Sequence, residues 1–274
     1  MLPFFKMHGL GNDFVIFDAR TSPLILTPDQ CRHIAHRQTG VGCDQIIVIE
    51  TSDKADCFMR IYNGDGSFSG ACGNATRCVA DRLMKESGKE AVTVETLRGV
   101  LPAFREANGE ITVDMGRPLL RWEDIPLSKE YDTLHLPIAS GALSDGVGVS
   151  MGNPHVVFFV PDPYSIDLAR DGKVLEHDPL LPERANIGVA SITDRAHITL
   201  RVWERGSGET LACGSGACAC LVAAVRRNLT DRKAAISLPG GVLTIEWREK
   251  DNHVWMTGPV ADVFEGRLEG VVEC

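Results

Sequence analysis

Positive charge is scarce in this sequence: 28 Lys and Arg stand against 37 Asp and Glu, a formal net charge of −9 over 274 residues, and no Lys/Arg-rich run occurs. Binding a phosphate backbone needs a basic patch, so nucleic acid is excluded as a partner class, while a small, locally cationic or zwitterionic ligand is not. Long apolar runs are absent as well. No window approaches the roughly 18 apolar residues of a membrane span, and the N-terminal MLPFFKMHGLGNDF has neither the apolar length of a signal segment nor a small-residue cleavage site. A soluble, cytoplasmic protein without a membrane partner is expected. No CxxC pair occurs, which argues against a structural zinc site, and the glycine-rich strings GLGNDF and RGSGET are neither GxGxxG nor a P-loop, so nothing points to a dinucleotide. The 9 cysteines are odd in number and scattered, unlike a disulfide framework, and read as reduced thiols that mostly pack as small buried hydrophobes.

What is present occurs twice. Arg60 to Val79 reads RIYNGDGSFSGACGNATRCV and Arg201 to Cys220 reads RVWERGSGETLACGSGACAC, each a strand, a Gly/Ser turn and Ala-Cys-Gly before a helical run. Cys213 minus Cys72 is 141, and Arg60/Arg201, Ala71/Ala212 and Gly73/Gly214 keep that offset. A distant block keeps it too: Gly11, Asn12, Val15 and Phe17 fall on Gly152, Asn153, Val156 and Phe158. Two separated blocks at one offset indicate a duplicated domain, because solenoid units run only about 20 to 50 residues. The length suits two domains, each large enough to bury a core.

Within each copy the patterns alternate between strand and helix. Phe4 to Met7 and Phe14 to Asp18 read as strands, Thr27-Pro28-Asp29 as the start of a helix over Gln30 to Arg37, and Gln45 to Glu50 as a buried strand. After the first Ala-Cys-Gly corner, Asn74 to Glu86 has helical apolar spacing and ends at Gly88. Strands over Ala91 to Thr96, Gly99 to Phe104 and Ile111 to Met115 follow, with a hairpin at Asn108-Gly109. Gly116 to Asp132, rich in Pro and charge, reads as a linker. The second half repeats this order, with a short helix over Tyr164 to Arg170 and a helix over Ser215 to Arg227 that is nearly all small and apolar through Ala224 and so belongs in a core. Phe264 to Val272 reads as a final strand-like tail.

A cysteine just before a helix meets unsatisfied backbone N–H groups and the positive end of the helix dipole, which favour a thiolate or a neighbouring carboxylate. Lowering a thiol from about 8.5 to near 7 takes roughly 2 kcal/mol. A helix terminus gives about 0.3 to 1, so burial geometry or a neighbour such as His155 must contribute. Two such corners facing one ligand across a pseudo-two-fold axis would flank it with two thiols that lose their protons in separate steps. One thiolate then removes a proton from one face of a carbon while the partner thiol returns one to the other. Cys78, Cys218 and Cys220, inside the helices, read as core. Cys31, His33 and His36 suggest a metal set, but on an amphipathic helix read as core and surface. Asn12, Asn63, Asn153, Asn186, Glu204 and Arg205 surround the corners; singly each is a turn residue or solvated charge, but together they suit an amino-acid ligand, Arg pairing with carboxylate, Glu with ammonium and Asn with either.

The strings GLGNDF (9 to 14), YNGDGSFSGACGNATRC (62 to 78), MGNPH (151 to 155) and ERGSGETLACGSGACA (204 to 219) closely resemble the diaminopimelate epimerase family, over essentially the whole chain. The resemblance implies a cofactor-independent, metal-free, two-base epimerase interconverting LL- and meso-diaminopimelate for lysine and peptidoglycan synthesis. By motif, Cys72 and Cys213 are the acid/base pair. Gly73, Asn74, Gly214 and Ser215 hold the reacting carboxylate and Glu204 its ammonium. Asn63, Asn153, Asn186 and Arg205 hold the distal amino-acid end; Asn12 and Gln45 complete the wall, with His155 near a thiol. The implied fold is α+β, two pseudo-symmetric domains over 1–118 and 119–262, each a mixed sheet curled barrel-like around a central helix, with the tail from about 263 to 274 joining the first domain. A homodimer that closes over its substrate is implied too. Three positions depart from the usual family strings: Ala-Thr follows Asn74, Ser215 replaces Thr, and Asn186 lies in ANIGVA. A proline or hydroxyproline racemase is the nearest rival, but an imino acid has no distal end for Arg205 and the three asparagines. A binding or redox protein using the cysteines as a disulfide switch is a different class.

Overall fold

In the first half, β-branched and aromatic residues alternate with polar ones or form short buried runs, and these become strands. The structure, a computed structural model, describes residues 1–269. Met1–Val113, together with the chain from Gly258, forms one compact unit, and Asp114–Thr257 forms a second.

The first unit runs β1 (Leu2–Gly9), β2 (Asn12–Asp18), α1 (Pro28–Ala35), β3 (Gln45–Glu50), β4 (Cys57–Asn63), β5 (Phe68–Ser69), α2 (Gly73–Ser87), β6 (Ala91–Thr96), β7 (Gly99–Arg105) and β8 (Ile111–Asp114). β2 and β3 are parallel, as are β4 and β6, while β1–β2, β3–β4, β4–β5, β6–β7 and β7–β8 are antiparallel. The helix α2 packs against β1, β6 and β7. Its buried face includes Ala75, Cys78, Val79, Leu83 and Met84, the residues whose spacing reads as helical in the sequence.

The second unit repeats that order: β9 (Val147–Ser150), β10 (Pro154–Phe159), α3 (Leu168–Glu176), β11 (Asn186–Asp194), β12 (His197–Glu204), β13 (Gly208–Thr210), α4 (Gly214–Arg226), β14 (Lys233–Leu238), β15 (Gly241–Trp247) and β16 (Val254–Gly258). Its pairings match strand for strand, with β10–β11 and β12–β14 parallel and the others antiparallel. α4 touches β9, β10, β11, β12, β14 and β15, so every side of it must be small or apolar, and Gly216 through Ala224 are all buried. The α+β reading, a mixed sheet curled around a central helix in each half, describes both units. No helix among the described residues is long and apolar enough to cross a membrane.

Three local differences have physical causes. Gly116 to Asp132, expected as a linker, is built into the second unit: Ile125 and Leu127 are buried in its core and Trp122 packs on that core. Its apolar residues are single anchors without strand or helix periodicity, so composition alone marks it as linking chain. The helix expected over Tyr164 to Arg170 divides, because Asp162 caps a short turn at Pro163–Ser165 and Asp167 separately caps α3, which starts at Leu168. The expected tail is β17 (Ala261–Leu268), antiparallel to β1 in the first unit. Residues 270–272 of that expectation lie outside the described residues.

Candidate active site

Each Ala-Cys-Gly corner is built alike. Cys72 and Cys213 are the N-caps of α2 and α4, in extended backbone conformation, and neither side chain caps its helix. Their carbonyls accept the first helical bonds, from the Thr76 and Ala217 amides at 2.9 Å each. The helices begin at Gly73 and Asn74 in one unit and at Gly214 and Ser215 in the other, and the Gly216 amide acts on the Cys213 sulphur.

In the first unit the corner meets the loop between β1 and β2. The Cys72 thiol donates to Asn12 Oδ1 at 3.8 Å, and Asn74 Nδ2 donates to the same oxygen at 3.1 Å. Asn12 Nδ2 donates the other way, to Asp44 Oδ2 at 2.8 Å. Asp44 immediately precedes Gln45, the first residue of β3, and Gln45 lies opposite Asn63 in the β3–β4 ladder. Gln45 Nε2 donates to Asn63 Oδ1 at 2.9 Å, and Asn63 Nδ2 to Ser67 Oγ at 3.0 Å. Gln45 Oε1 is a buried acceptor with no hydrogen bond among the described residues.

Beneath this loop lies an ionic cluster. Arg37 spans both oxygens of Asp13, at 3.0 and 2.9 Å, and reaches Asp44 Oδ1 at 2.7 Å. Lys6 joins it, bonded to Asp13 at 2.5 Å and to the Gly42 carbonyl. Burial opposes the charge on Asp13, but the hydrogen bonds and charges of Arg37 and Lys6 outweigh it and hold the carboxyl down at about 2.

The second unit carries the equivalent array with different side chains. Asn153 Nδ2 donates to Ser215 Oγ at 3.2 Å, and Ser215 Oγ lies 3.7 Å from Cys213 Sγ. His155 is 1 % exposed on β10, and its Nε2 is 3.2 Å from Asn153 Oδ1. One path from His155 to the thiol runs through Asn153 and Ser215. Asn186, first in β11, donates to the Pro154 carbonyl at 3.2 Å and accepts from the Arg205 amide at 2.9 Å. The exposed Arg205 guanidinium rests on the Glu183 carbonyl at 2.9 Å. Glu204 ends β12 and accepts from Thr210 Oγ1 at 2.5 Å. Burial pushes the Cys213 thiol well above its ordinary range and the Glu204 carboxylate pushes the same way, while Ser215 and the Gly216 amide pull back only partly. The helix terminus alone therefore does not make this thiol acidic, contrary to a simple reading of the N-cap.

Twelve of the residues singled out in the sequence fall into six pairs at the one offset of 141, Asn12 with Asn153, Gln45 with Asn186, Asn63 with Glu204, Cys72 with Cys213, Gly73 with Gly214 and Asn74 with Ser215, while His155 and Arg205 fall on Phe14 and Gly64. The ladders agree, since Phe14 pairs with Gln45 as His155 pairs with Asn186. Sequence reasoning missed Asp44, Arg37, Lys6 and Asp13, which carry no signal of their own beyond lying next to Asn12 and Gln45. It also missed Gly216, where a Cβ would lie 3.1 Å from Cys213 Sγ and 3.2 Å from a Val202 methyl. Glu176 was missed too: 3 % exposed, it takes hydrogen bonds from Trp203 Nε1 at 2.7 Å and the Gly206 amide at 2.9 Å, fixing the turn that carries Arg205. Of the Cys31, His33 and His36 set, Cys31 is in the core and both histidines are exposed.

A family model described as Diaminopimelate epimerase matches residues 4–120 and 147–263. Among curated relatives, a diaminopimelate epimerase of Rhodospirillum centenum is 58% identical over 267 residues, 97% of this chain and 91% of the relative. One of Acidiphilium cryptum is 56% identical over 270 residues, 98% of this chain and 97% of the relative. Among solved structures, a phenazine biosynthesis protein of the PhzF family from Bacillus anthracis has the same fold, with a TM-score of 0.70 at 20% identity, covering 97% of this chain and 98% of that one.

Proposed function

Because this chain belongs to the diaminopimelate epimerase family, we propose that it interconverts LL- and meso-2,6-diaminopimelate, without a cofactor, using Cys72 and Cys213 as a thiol/thiolate pair. The carrying observation is the paired N-cap: two cysteines at equivalent helix starts, each at the first turn of its helix and with a polar cluster at the same offset. One thiolate takes the α-proton. The electron pair left on the α-carbon delocalises into the carboxylate, whose growing charge is met by the amides of Gly73, Asn74, Gly214 and Ser215. The other thiol then gives its proton to the opposite face, inverting the centre and leaving the two cysteines with exchanged protonation. The next turnover in the reverse direction uses them in exchanged roles.

Glu204 has two effects in this reading. Its carboxylate holds the α-ammonium, and the bound cation cancels the repulsion that keeps the Cys213 proton in place in the free protein. Substrate binding thus prepares the thiol that would otherwise stay protonated. Asn63, Asn153, Asn186 and Arg205 hold the distal amino-acid end, Asn12 and Gln45 line the wall, and His155 supports Cys213 through Asn153 and Ser215. The unpartnered Gln45 Oε1 suits an ammonium donor on the ligand. The setting is the supply of lysine and peptidoglycan precursors by a cytoplasmic homodimer with a small-molecule amino-acid substrate.

The test is to incubate the reduced protein with LL-diaminopimelate and, separately, with L-proline, and to resolve the stereoisomers by chiral chromatography. Meso-diaminopimelate is expected, with proline unchanged. Racemised proline would move the chain to the imino-acid branch, and no conversion of either would leave a binding or redox role.

A further inference from the structure

Whether an asparagine amide favours a thiol or a thiolate depends on which end faces the sulphur. Its oxygen accepts from S–H and stabilises the protonated form, whereas its NH2 group donates to sulphur and stabilises the anion. Asn12 beside Cys72 has no intrinsic reason to choose. Asp44 makes the choice for it, because an ionised carboxylate only accepts and so binds the NH2 end, at 2.8 Å, turning Oδ1 toward Cys72 and Asn74. Asp44 is itself fixed. Its Oδ1 is held by Arg37 at 2.7 Å, and its amide donates to Asp13 Oδ1 at 3.0 Å. Arg37 is in turn fixed by its two-pronged contact with Asp13, which Lys6 anchors from β1.

We infer that Asp44, braced by Arg37, is a positioning residue for Cys72: it locks the Asn12 amide with its oxygen toward the sulphur and so keeps Cys72 a thiol until substrate arrives. The inference rests on Cys72 being one of the two exchanging thiols, and it adds how the resting state of that thiol is set. The two halves use different means to one end. Cys213 is kept protonated by burial and a carboxylate, Glu204, whereas Cys72 is kept so by an oriented neutral amide. Other charged or titratable groups on the elements around the corner include His8 on β1, Arg77, Cys78 and Asp81 on α2, of which Cys78 interacts electrostatically with Cys72, and Arg98 in the β6–β7 turn, which approaches Gly70.

The readout needs no substrate. Alkylation of Cys72 by iodoacetamide, followed across pH and quantified on the Cys72 peptide by mass spectrometry, gives the midpoint of thiolate formation in wild type, Asp44→Asn and Arg37→Gln. With Asp44→Asn the partner at position 44 can donate as well as accept, Asn12 is free to turn its NH2 group to the sulphur, and the midpoint is expected to fall by about half a pH unit or more, the scale of one hydrogen bond's net worth. Arg37→Gln is expected to move it the same way by less. The kcat/KM values for the two directions should drop together, since their ratio is the fixed equilibrium constant. Midpoints that superpose on wild type in folded variants, or that rise, overturn the inference. Should Asp44→Asn fail to fold, Arg37→Gln decides, its side chain being 55% exposed. A shifted midpoint in a protein that does not epimerise diaminopimelate would overturn the proposed reaction and leave the positioning role intact.

Discussion

At the scale of single residues, the two cysteines are chemically unequal although their backbones are equivalent. Glu204 stands where the first half has the neutral Asn63, and its carboxylate sits against Cys213. Replacing Glu204 with Gln removes a group that raises the Cys213 thiol, and its alkylation midpoint is expected to fall. The same change removes the counter-charge proposed for the substrate's ammonium, so KM for diaminopimelate is expected to rise. An unchanged midpoint on the Cys213 peptide would contradict the electrostatic role. Cys72→Ala and Cys213→Ala should each lower kcat by about 10²-fold or more, the usual worth of one acid/base group, read in the epimerisation assay. The matching helix-start positions of Cys72 and Cys213 were legible because duplication displayed each in the context of the other. Asp44 and Arg37 were not, since their role arises from hydrogen-bond direction, which composition and spacing do not encode.

At the scale of elements, the start of α4 is shaped by a missing side chain. Ala75 occupies the equivalent place in α2, but at Gly216 a Cβ would press on Cys213 Sγ and on Val202. Gly216→Ala is therefore expected to displace the thiol and cut kcat by about tenfold or more while the protein stays folded, because small misplacements of a reacting group are costly. Wild-type kcat in that variant would show that the space is not needed. α1 offers a contrast remote from chemistry. Its start was readable from Thr27-Pro28-Asp29, and the structure completes a capping box, Thr27 Oγ1 accepting from the Gln30 amide at 3.3 Å and the Thr27 amide donating to Gln30 Oε1 at 2.7 Å. Thr27→Ala should cost about 1 kcal/mol, visible in a denaturant titration as a lower midpoint at unchanged slope. α1 ends at Ala35 and not at Arg37, where the sequence pattern would carry it, because the Gly42 and Cys43 amides return to the Ile34 and Ala35 carbonyls and stop the helix. Such a stop depends on a turn closing back in space.

At the scale of the whole molecule, stability should depend on pH at both extremes. Asp13 has its folded value lowered from 3.8 to about 2, so its contribution is present above 3.8 and is lost as pH falls toward 2. Cys31, Cys43 and Cys57 have theirs raised by burial from 9.0 to about 11, 12 and 12. Their contribution is present below 9.0 and is lost as pH rises through 11 to 12. Thermal melts under reductant are expected to show a plateau between these limbs, and Asp13→Asn should flatten the acid one. An acid limb of equal steepness in that variant would contradict the assignment. The duplicated architecture was legible because a 141-residue offset survives in two separated blocks. The role of Gly116 to Asp132 was not, since isolated apolar anchors such as Ile125 and Leu127 gain meaning only against the core they fill.

The central claim, that one thiol removes the α-proton and a different one returns a proton from solvent, is tested most directly by isotope placement at low conversion. Reduced protein is given LL-diaminopimelate in D2O, and both isomers are isolated after a few per cent of reaction and examined by mass spectrometry. The meso product is expected to carry one deuterium at the inverted carbon while the remaining LL substrate stays unlabelled. Meso product that keeps its original protium would show a single base delivering the same proton to the other face, and would contradict the two-thiol account.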